Sequence, residues 1–205
     1  MSDADNKPLK IALTGGAGSG KSAAAARFRE HGIRVVDTDQ LAREVVEPGS
    51  EGLAALVAAF GPRLLTDTGE LHRKRMREWM LSDDAIRRQL ESLLHPLIFQ
   101  ALEAQLAVAE GPYAIAEIPL LVESGSTDRF DRVITVEAPE DQRIARLLNR
   151  DGIDEAAARQ LIATQASETE RRAIADTVLE NDGDLAALYR QVDGVHDSLT
   201  RANAP

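Results

Sequence analysis

Short apolar runs alternate with amphipathic stretches along this chain of 205 residues. Five runs have the length and composition of buried strands, at residues 11–13, 33–36, 114–118, 133–136 and 177–179. Apolar positions recur with helical spacing between them, at residues 22–29, 41–46, 52–60, 73–81, 84–94, 96–109, 141–149, 155–164 and 185–199. This alternation predicts an α/β fold with a five-stranded parallel sheet covered by helices on both faces. The helical stretch after the second strand is too long for a simple crossover, which indicates an inserted helical subdomain.

A glycine-rich octapeptide, residues 15–22, follows the first predicted strand and precedes the first predicted helix. It fits the phosphate-binding pattern G-x-x-x-x-G-K-[ST] in the strand–loop–helix context that this pattern needs. Glycines let consecutive N–H groups curl around phosphate oxygens, and the helix that follows points its positive end at the same anion. We therefore predict a nucleoside triphosphate site, with Lys21 reaching the β- and γ-phosphates and the Ser22 hydroxyl binding Mg²⁺. The predicted ATP-binding residues of the loop are Gly16, Ala17, Gly18, Ser19, Gly20, Lys21 and Ser22.

Composition excludes several classes of protein. The chain has no cysteine, which excludes disulfides, cysteine-based zinc sites and thiol catalysis. A net charge of −10 argues against broad affinity for nucleic acid. Residues 1–8 are polar and unlike a signal peptide, and no apolar run approaches the roughly 18 residues that span a membrane. We therefore expect a cytoplasmic protein without a membrane or nucleic-acid partner.

Two carboxylates, Asp37 and Asp39, stand at the carboxyl end of the second predicted strand. In open parallel sheets, ligands bind beyond the carboxyl ends of the strands, so both residues are expected to face the crevice of the glycine loop. One of them could orient Mg²⁺, for which we choose Asp37, and the other could accept a proton from an acceptor hydroxyl. The alternative is that Asp39 is a helix N-cap before Leu41.

The chain resembles the dephospho-coenzyme A kinase family from Leu9 to about Gly183. The resemblance is carried by ordered segments at residues 13–22, 36–39, 42–43, 46–49, 94–98, 118–123 and 146–151 and at Gln165. It implies a P-loop NTPase-like fold, similar to that of nucleoside monophosphate kinases, with one kinase domain and three parts. These are a core at 9–40, 112–138 and 175–202, a helical acceptor-binding subdomain at about 41–111, and a helical lid at about 139–170.

The same resemblance implies the reaction. Members of the family transfer the γ-phosphate of ATP to the ribose 3′-hydroxyl of dephospho-coenzyme A, giving coenzyme A and ADP. The implied cofactor is Mg²⁺, and we expect a monomer or weak homo-oligomer. Asp39 matches the family's catalytic carboxylate, and Lys21 and Arg146 are the other predicted catalytic residues.

Three arginines, Arg143, Arg146 and Arg150, lie along one face of the helix predicted at 141–149. Such a face could close over ATP phosphates and neutralise charge in the transition state. Resemblance to the family lid makes Arg146 the first choice for phosphate contact and Arg150 the second, with Arg143 expected at the surface. Asn181 matches a family turn near the adenine, where Asp182 departs from the family pattern.

The residues expected at the acceptor are Arg73, His95, Pro119 and Leu120, besides Asp39. Arg73 belongs to a basic run that could attract the diphosphate of the acceptor or could be a solvated face. His95 precedes Pro96 at a predicted helix start, where a structural hydrogen bond is as reasonable as substrate contact. Glu117, at the end of the third strand, is either an indirect partner of the metal or a solvent-facing acid.

Two other functions stay open at this stage. One is a different small-molecule kinase of the same fold, acting on a sugar, shikimate or a nucleoside. The other is a nucleotide-dependent switch without a small-molecule acceptor. The paired carboxylates and the arginine face argue against the switch, and the ordered family segments argue against the other kinases.

Overall fold

A computed structural model describes residues 7–202, so most of the polar segment 1–8 lies outside the described residues. The chain divides into two compact units. The first, which we call the sheet unit, takes the residues up to Val36 and from Leu106 onward. The second, the helical unit, is Asp37–Gln105. Within the described residues, no helix is both long and apolar enough to cross a membrane.

The sheet confirms the predicted α/β fold. Its strands are β1 (Leu9–Thr14), β2 (Val35–Asp37), β3 (Tyr113–Glu117), β4 (Arg132–Glu137) and β5 (Thr177–Glu180). They lie in the order β2-β3-β1-β4-β5, and β1 pairs in parallel with both β3 and β4. Strand β4 in turn pairs in parallel with β5. Because β1 is central, the loop that follows it leaves the middle of the sheet, where parallel α/β proteins bind ligands.

The strands are apolar on both faces because helices cover both. On one side, Ile11, Leu13 and Ile134 pack with Phe28 of helix α1 (Lys21–Glu30) and Leu188 of helix α10 (Leu185–Ala202). Each of these side chains is almost completely buried. Burial of a Leu, Ile or Phe side chain contributes about 1.5–3 kcal/mol. The helix that begins inside the predicted phosphate loop is therefore anchored to the sheet by its own core residues.

The region predicted as a lid, about 139–170, contains helices α7 (Glu140–Asp151) and α8 (Glu155–Ala163), and helix α9 (Glu168–Ile174) begins in it and ends beyond it. Helix α7 packs Ile144 and Leu147 against Ala158 of α8. Helix α9, absent from the sequence prediction, begins with a capping box in which Ser167 and Glu170 each accept from the other's backbone N–H. A further short helix, α6 (Leu121–Ser124), follows β3 and was not predicted either.

The helical unit contains α2 (Thr38–Glu44), α3 (Glu51–Phe60), α4 (Arg73–Ser82) and most of α5 (Asp84–Ala107). The prediction of two helices at 84–94 and 96–109 is wrong, because α5 continues through Pro96. Proline removes one backbone hydrogen bond and crowds the carbonyl four residues earlier, which costs about 3 kcal/mol in a helix interior. Leu90 and Leu102 are fully buried on either side of Pro96, and their packing holds both halves in one helix.

Candidate active site

The glycine loop joins β1 to α1. Gly18 (φ 76°) and Gly20 (φ 100°) have left-handed backbone conformations that disfavour any side chain. Space is limiting as well, because a Cβ on Gly18 would lie 2.6 Å from the Arg143 carbonyl oxygen. Both glycines therefore allow the turn of the loop, and Gly18 also allows the close approach of α7.

Lys21 and Ser22 open helix α1, and both side chains meet the acid at the end of β3. Nζ of Lys21 lies 2.7 Å from Oε1 of Glu117, and the Ser22 hydroxyl lies 3.5 Å from the same oxygen. A guanidinium nitrogen of Arg29 is 3.7 Å from the other oxygen. Glu117 is only 4% exposed, so the alternative of a solvent-facing acid is wrong. Its position follows from the sheet, since β3 lies beside β1 with Glu117 opposite Leu13.

The hydroxyl of Ser22 and the carboxylate of Glu117 are the hard oxygen donors that Mg²⁺ prefers. Within residues 7–202, no group of three or more histidine and acidic side chains could enclose a metal ion. Mg²⁺ in kinase sites is typically held by one or two protein groups together with substrate phosphates and water. The residues at this position therefore fit a magnesium ion that arrives with a nucleotide.

Asp37 and Asp39 belong to the helical unit. The carboxylate of Asp37 accepts hydrogen bonds from the backbone N–H of Asp39 at 2.8 Å and of Gln40 at 3.3 Å, so Asp37 is the N-cap of α2. The alternative that made Asp39 the N-cap is therefore wrong. Asp39 lies exposed in the first turn of α2. The predicted roles of Asp37 at the metal and Asp39 at the acceptor stay predictions.

The three arginines of α7 have different surroundings. Arg143, expected at the surface, is only 5% exposed, and its Nε donates to the Ala17 carbonyl at 2.9 Å. The expectation failed because the face of α7 that carries Arg143 packs against the loop. Arg150 is exposed and pairs with Asp151 through two hydrogen bonds of 2.7 and 2.8 Å. This partner raises the pKa of Arg150 and lowers that of Asp151.

Arg146 binds backbone carbonyls on two sides of the site. Its Nη1 donates to the carbonyls of Gly18 at 3.2 Å and Ser19 at 3.3 Å. Its Nη2 donates to the carbonyl of Asn181 at 3.0 Å and to the side chain of Gln142 at 3.1 Å. Arg146 thus joins the glycine loop to the end of β5.

Two amide side chains also form hydrogen bonds with the backbone of the loop. The buried Asn181 donates from Nδ2 to the Ser19 carbonyl at 2.7 Å. Gln165 accepts the Ala17 N–H at 2.7 Å. Sequence reasoning placed Asn181 near the adenine and gave Gln165 no role beyond the resemblance. Together with Arg143 and Arg146, they fix four backbone groups of the loop.

A buried ion pair joins α9 to β4. Arg171 of α9 binds Glu137 of β4 in bidentate fashion, at 2.7 and 2.6 Å, and both side chains are at most 3% exposed. The Thr135 hydroxyl donates to the same carboxylate at 2.6 Å. Sequence reasoning missed this pair, although the Ser167–Glu170 capping box could have revealed the helix that carries Arg171.

The remaining predicted acceptor residues are divided between the units. Pro119 and Leu120 follow β3 in the sheet unit, and Leu120 is 49% exposed. Arg73 begins α4 and approaches the Arg43 carbonyl at 3.5 Å. His95 lies in the middle of α5, not at a helix start, and its exposed ring meets Phe99 edge-on.

Comparison with known proteins decides the family. A model of the dephospho-CoA kinase family matches residues 9–187. The chain belongs to this family. The dephospho-CoA kinase of Thiobacillus denitrificans is 48% identical over 187 residues, which cover 91% of this chain and 93% of that protein. The solved structure of TT1252 from Thermus thermophilus superposes with a TM-score of 0.83 at 34% identity, covering 95% of this chain and 100% of that one.

Membership of the dephospho-CoA kinase family confirms the predicted enzyme class. The chain is a P-loop kinase, and the family catalyses the final step of coenzyme A biosynthesis. Shikimate kinase from Acinetobacter baumannii superposes with a TM-score of 0.55 at 14% identity, covering 100% of both chains. At that identity the likeness shows the fold alone, so the rival reading as a shikimate kinase has no support beyond the shared fold.

Proposed function

We propose that the glycine loop of this chain binds ATP with Mg²⁺ and that Asp39 receives the proton of the ribose 3′-hydroxyl of dephospho-CoA as the γ-phosphate is transferred. The observation that carries the proposal is the buried contact of Lys21 and Ser22 with Glu117, in a chain that belongs to the dephospho-CoA kinase family. This contact places Lys21, which can bind the phosphates, beside the two oxygen donors that can bind the metal, Ser22 and Glu117.

The nucleotide side of the proposal uses residues of the sheet unit. Backbone N–H groups of residues 20–22, at the start of α1, hold the phosphates, and Lys21 supplies a charge to the β- and γ-phosphates. Ser22 and Glu117 would hold Mg²⁺, directly or through its water shell. A magnesium ion in such a site neutralises charge on the transferred phosphoryl group. Arg146 and Asn181 position the loop, Arg146 is also proposed to stabilise charge on the phosphates during transfer, and Arg150 is the second choice for phosphate contact.

The acceptor side of the proposal rests on the resemblance. A carboxylate at the acceptor hydroxyl removes a proton as the new P–O bond forms, and such help is worth roughly 10²–10⁴-fold in rate. Asp39 is our choice for this group. Arg73, His95, Pro119 and Leu120 are proposed to contact the acceptor. Remote contacts with a large acceptor can orient its 3′-hydroxyl towards the γ-phosphate.

The proposal is tested by coupled ADP release with a panel of acceptors. We expect dephospho-CoA to stimulate ADP release strongly, adenosine to do so far less, and Lys21→Ala to abolish transfer in folded protein. The product should carry its new phosphate on the 3′-oxygen. A higher kcat/KM for shikimate, gluconate or a nucleoside would contradict the proposed acceptor and leave the kinase chemistry standing. The expected cytoplasmic location and the monomeric or weakly oligomeric state stay predictions.

A further inference from the structure

Arg143 packs against the glycine loop, but one nitrogen of its guanidinium has no hydrogen-bond partner among residues 7–202. Its Nε donates to the Ala17 carbonyl, whereas its Nη2 is buried and has no hydrogen-bond partner within residues 7–202. A buried N–H without a partner is unfavourable, and more so when it carries charge. The packing of α7 against the loop does not explain why this buried, charged nitrogen lacks a hydrogen-bond partner.

Gly16 provides the space for this guanidinium. A Cβ at Gly16 would lie 2.4 Å from Nη2 and 2.8 Å from Cζ of Arg143. Gly16 does not have a left-handed backbone, in contrast to Gly18 and Gly20. A side chain at position 16 is therefore opposed by the guanidinium and not by backbone conformation.

The charge around Arg143 is only partly balanced. Cζ of Arg171 would lie 3.2 Å from the same Cβ, so two guanidinium groups converge on Gly16. Both carboxylate oxygens of Glu137 bind Arg171. Burial, and then the neighbouring Arg171, lower the pKa of Arg143 below its ordinary value. The other acids that act on it, Glu140 and Glu168, are exposed and pair with Arg159 and Arg172.

We propose that Arg143 supplies a buried positive charge that attracts the phosphates of ATP. Its guanidinium packs on Gly16 and donates to the Ala17 carbonyl, which holds an excess positive charge beside the first half of the loop. That charge is unfavourable in the empty loop and favourable once anionic phosphates arrive, because opposite charges attract strongly where water is excluded. Arg143 should therefore increase the affinity for a nucleotide more, the more negative charge its phosphates carry. The inference rests on the proposed function, since it assumes that the loop binds ATP.

The test compares nucleotides that differ only in phosphate number. Equilibrium affinities for ATP, ADP and AMP are measured with Mg²⁺ by displacement of a fluorescent ATP analogue from the full chain. Arg143→Met should weaken ATP binding about tenfold or more, ADP binding less, and AMP binding by about twofold or less. Arg143→Lys keeps the charge and should recover most of the ATP affinity. Arg159→Met, which removes an exposed arginine of α8, is the matched control and should match the unsubstituted chain.

Unchanged affinities for Arg143→Met, an equal loss for all three nucleotides, or a lysine variant as weak as the methionine variant would each overturn the proposal. An equal loss would indicate a loop that has lost its shape, without a charge effect.

A second pair of variants tests the proposal even if Arg143→Met fails to fold. Gly16→Ala should weaken ATP binding because its methyl group displaces the guanidinium. The same substitution in the Arg143→Lys background, where Nη2 is missing, should weaken ATP binding less, because only Arg171 then lies close to the methyl group. If Gly16→Ala changed the ATP affinity equally in both backgrounds, the proposed role of Arg143 would be refuted. Failure of the unsubstituted chain to phosphorylate dephospho-CoA while it binds ATP would instead contradict the proposed function alone.

Discussion

Nζ of Lys21 lies 2.7 Å from Oε1 of Glu117, and the two side chains are only 13% and 5% exposed. The pair joins the phosphate loop to the end of the neighbouring strand β3. Because Ser22 approaches the same carboxylate, one buried acid orients both side chains that the loop contributes to nucleotide binding.

Glu117→Gln tests this arrangement. Glutamine keeps the shape of the side chain but removes the charge that faces Lys21 and the proposed metal. The Mg²⁺ concentration for half-maximal activity should rise roughly 10- to 100-fold, the usual effect of losing an outer partner of a metal site. It is measured by metal titration of ADP release.

Asp37→Asn is the matched variant for Glu117→Gln, because asparagine caps helices as well as aspartate does. If only Asp37→Asn raised the Mg²⁺ requirement, Asp37 would be the acid that orients the metal, as the sequence predicted.

Asp39→Asn tests the proposed base. The amide cannot take the proton of the acceptor hydroxyl, so kcat should fall roughly 10²–10⁴-fold while KM for ATP changes little. Steady-state kinetics with dephospho-CoA measure both constants. Glu44→Gln, an exposed acid later in α2, is the matched control and should leave kcat unchanged. Full activity in Asp39→Asn would leave this residue without a catalytic role.

Arg146→Ala removes hydrogen bonds to the carbonyls of Gly18, Ser19 and Asn181. By analogy with arginines that stabilise phosphoryl transfer, kcat should fall by up to about 10³-fold, and more than the affinity for ATP. Kinetics and direct ATP titration separate the two effects. A loss confined to ATP affinity would show that Arg146 only shapes the ground-state loop. Arg159→Ala, on the exposed face of α8, should behave as the unsubstituted chain does.

His196 of α10 predicts a pH dependence of stability. Its ring stacks on His31 at a centroid distance of 4.2 Å, and its Nδ1 lies 2.8 Å from the Tyr113 hydroxyl. Burial, and then His31, lower the pKa of His196 below its ordinary value of 6.5. Nearby Asp193 titrates at lower pH, because Arg27 and His31 hold the pKa of its carboxyl well below the usual range.

The sign follows from proton binding. The unfolded chain binds a proton at His196 more readily than the folded one. The free energy of unfolding should therefore decrease as the pH falls from about 6.5 towards the lowered pKa, by at most about 1.4 kcal/mol per pH unit for one proton. Urea unfolding at several pH values measures the slope. His196→Gln should flatten it, and His95→Gln, on an exposed part of α5, should not.

Local patterns in the sequence were enough to predict the strands, the phosphate loop and most helices. They could not give the order of the strands, which brings Glu117 beside Lys21, because that order depends on long-range pairing. Helical spacing showed that Arg143 and Arg146 share one face. It did not show that this face packs on the loop, since the rotation of α7 is set by Ile144 and Leu147 against α8.

Proline at position 96 misled the prediction for a different reason. The local cost of proline within a helix is real, but it was outweighed by burial of Leu90 and Leu102, which local propensity does not include. The roles of Asp37 and Asp39 depend on substrates, so neither the sequence pattern nor the helix cap at Asp37 decides them.

The contact between Gly16 and Arg143 also constrains how this protein can change over time. A methyl group at position 16 would force the head group of Arg143 to move, so a smaller residue at position 143 should make that substitution easier. Among homologues, we expect alanine at the position of Gly16 to occur with a smaller residue at the position of Arg143. Such covariation would link a loop residue and a helix residue that lie 127 positions apart in the sequence, because their side chains compete for the same space.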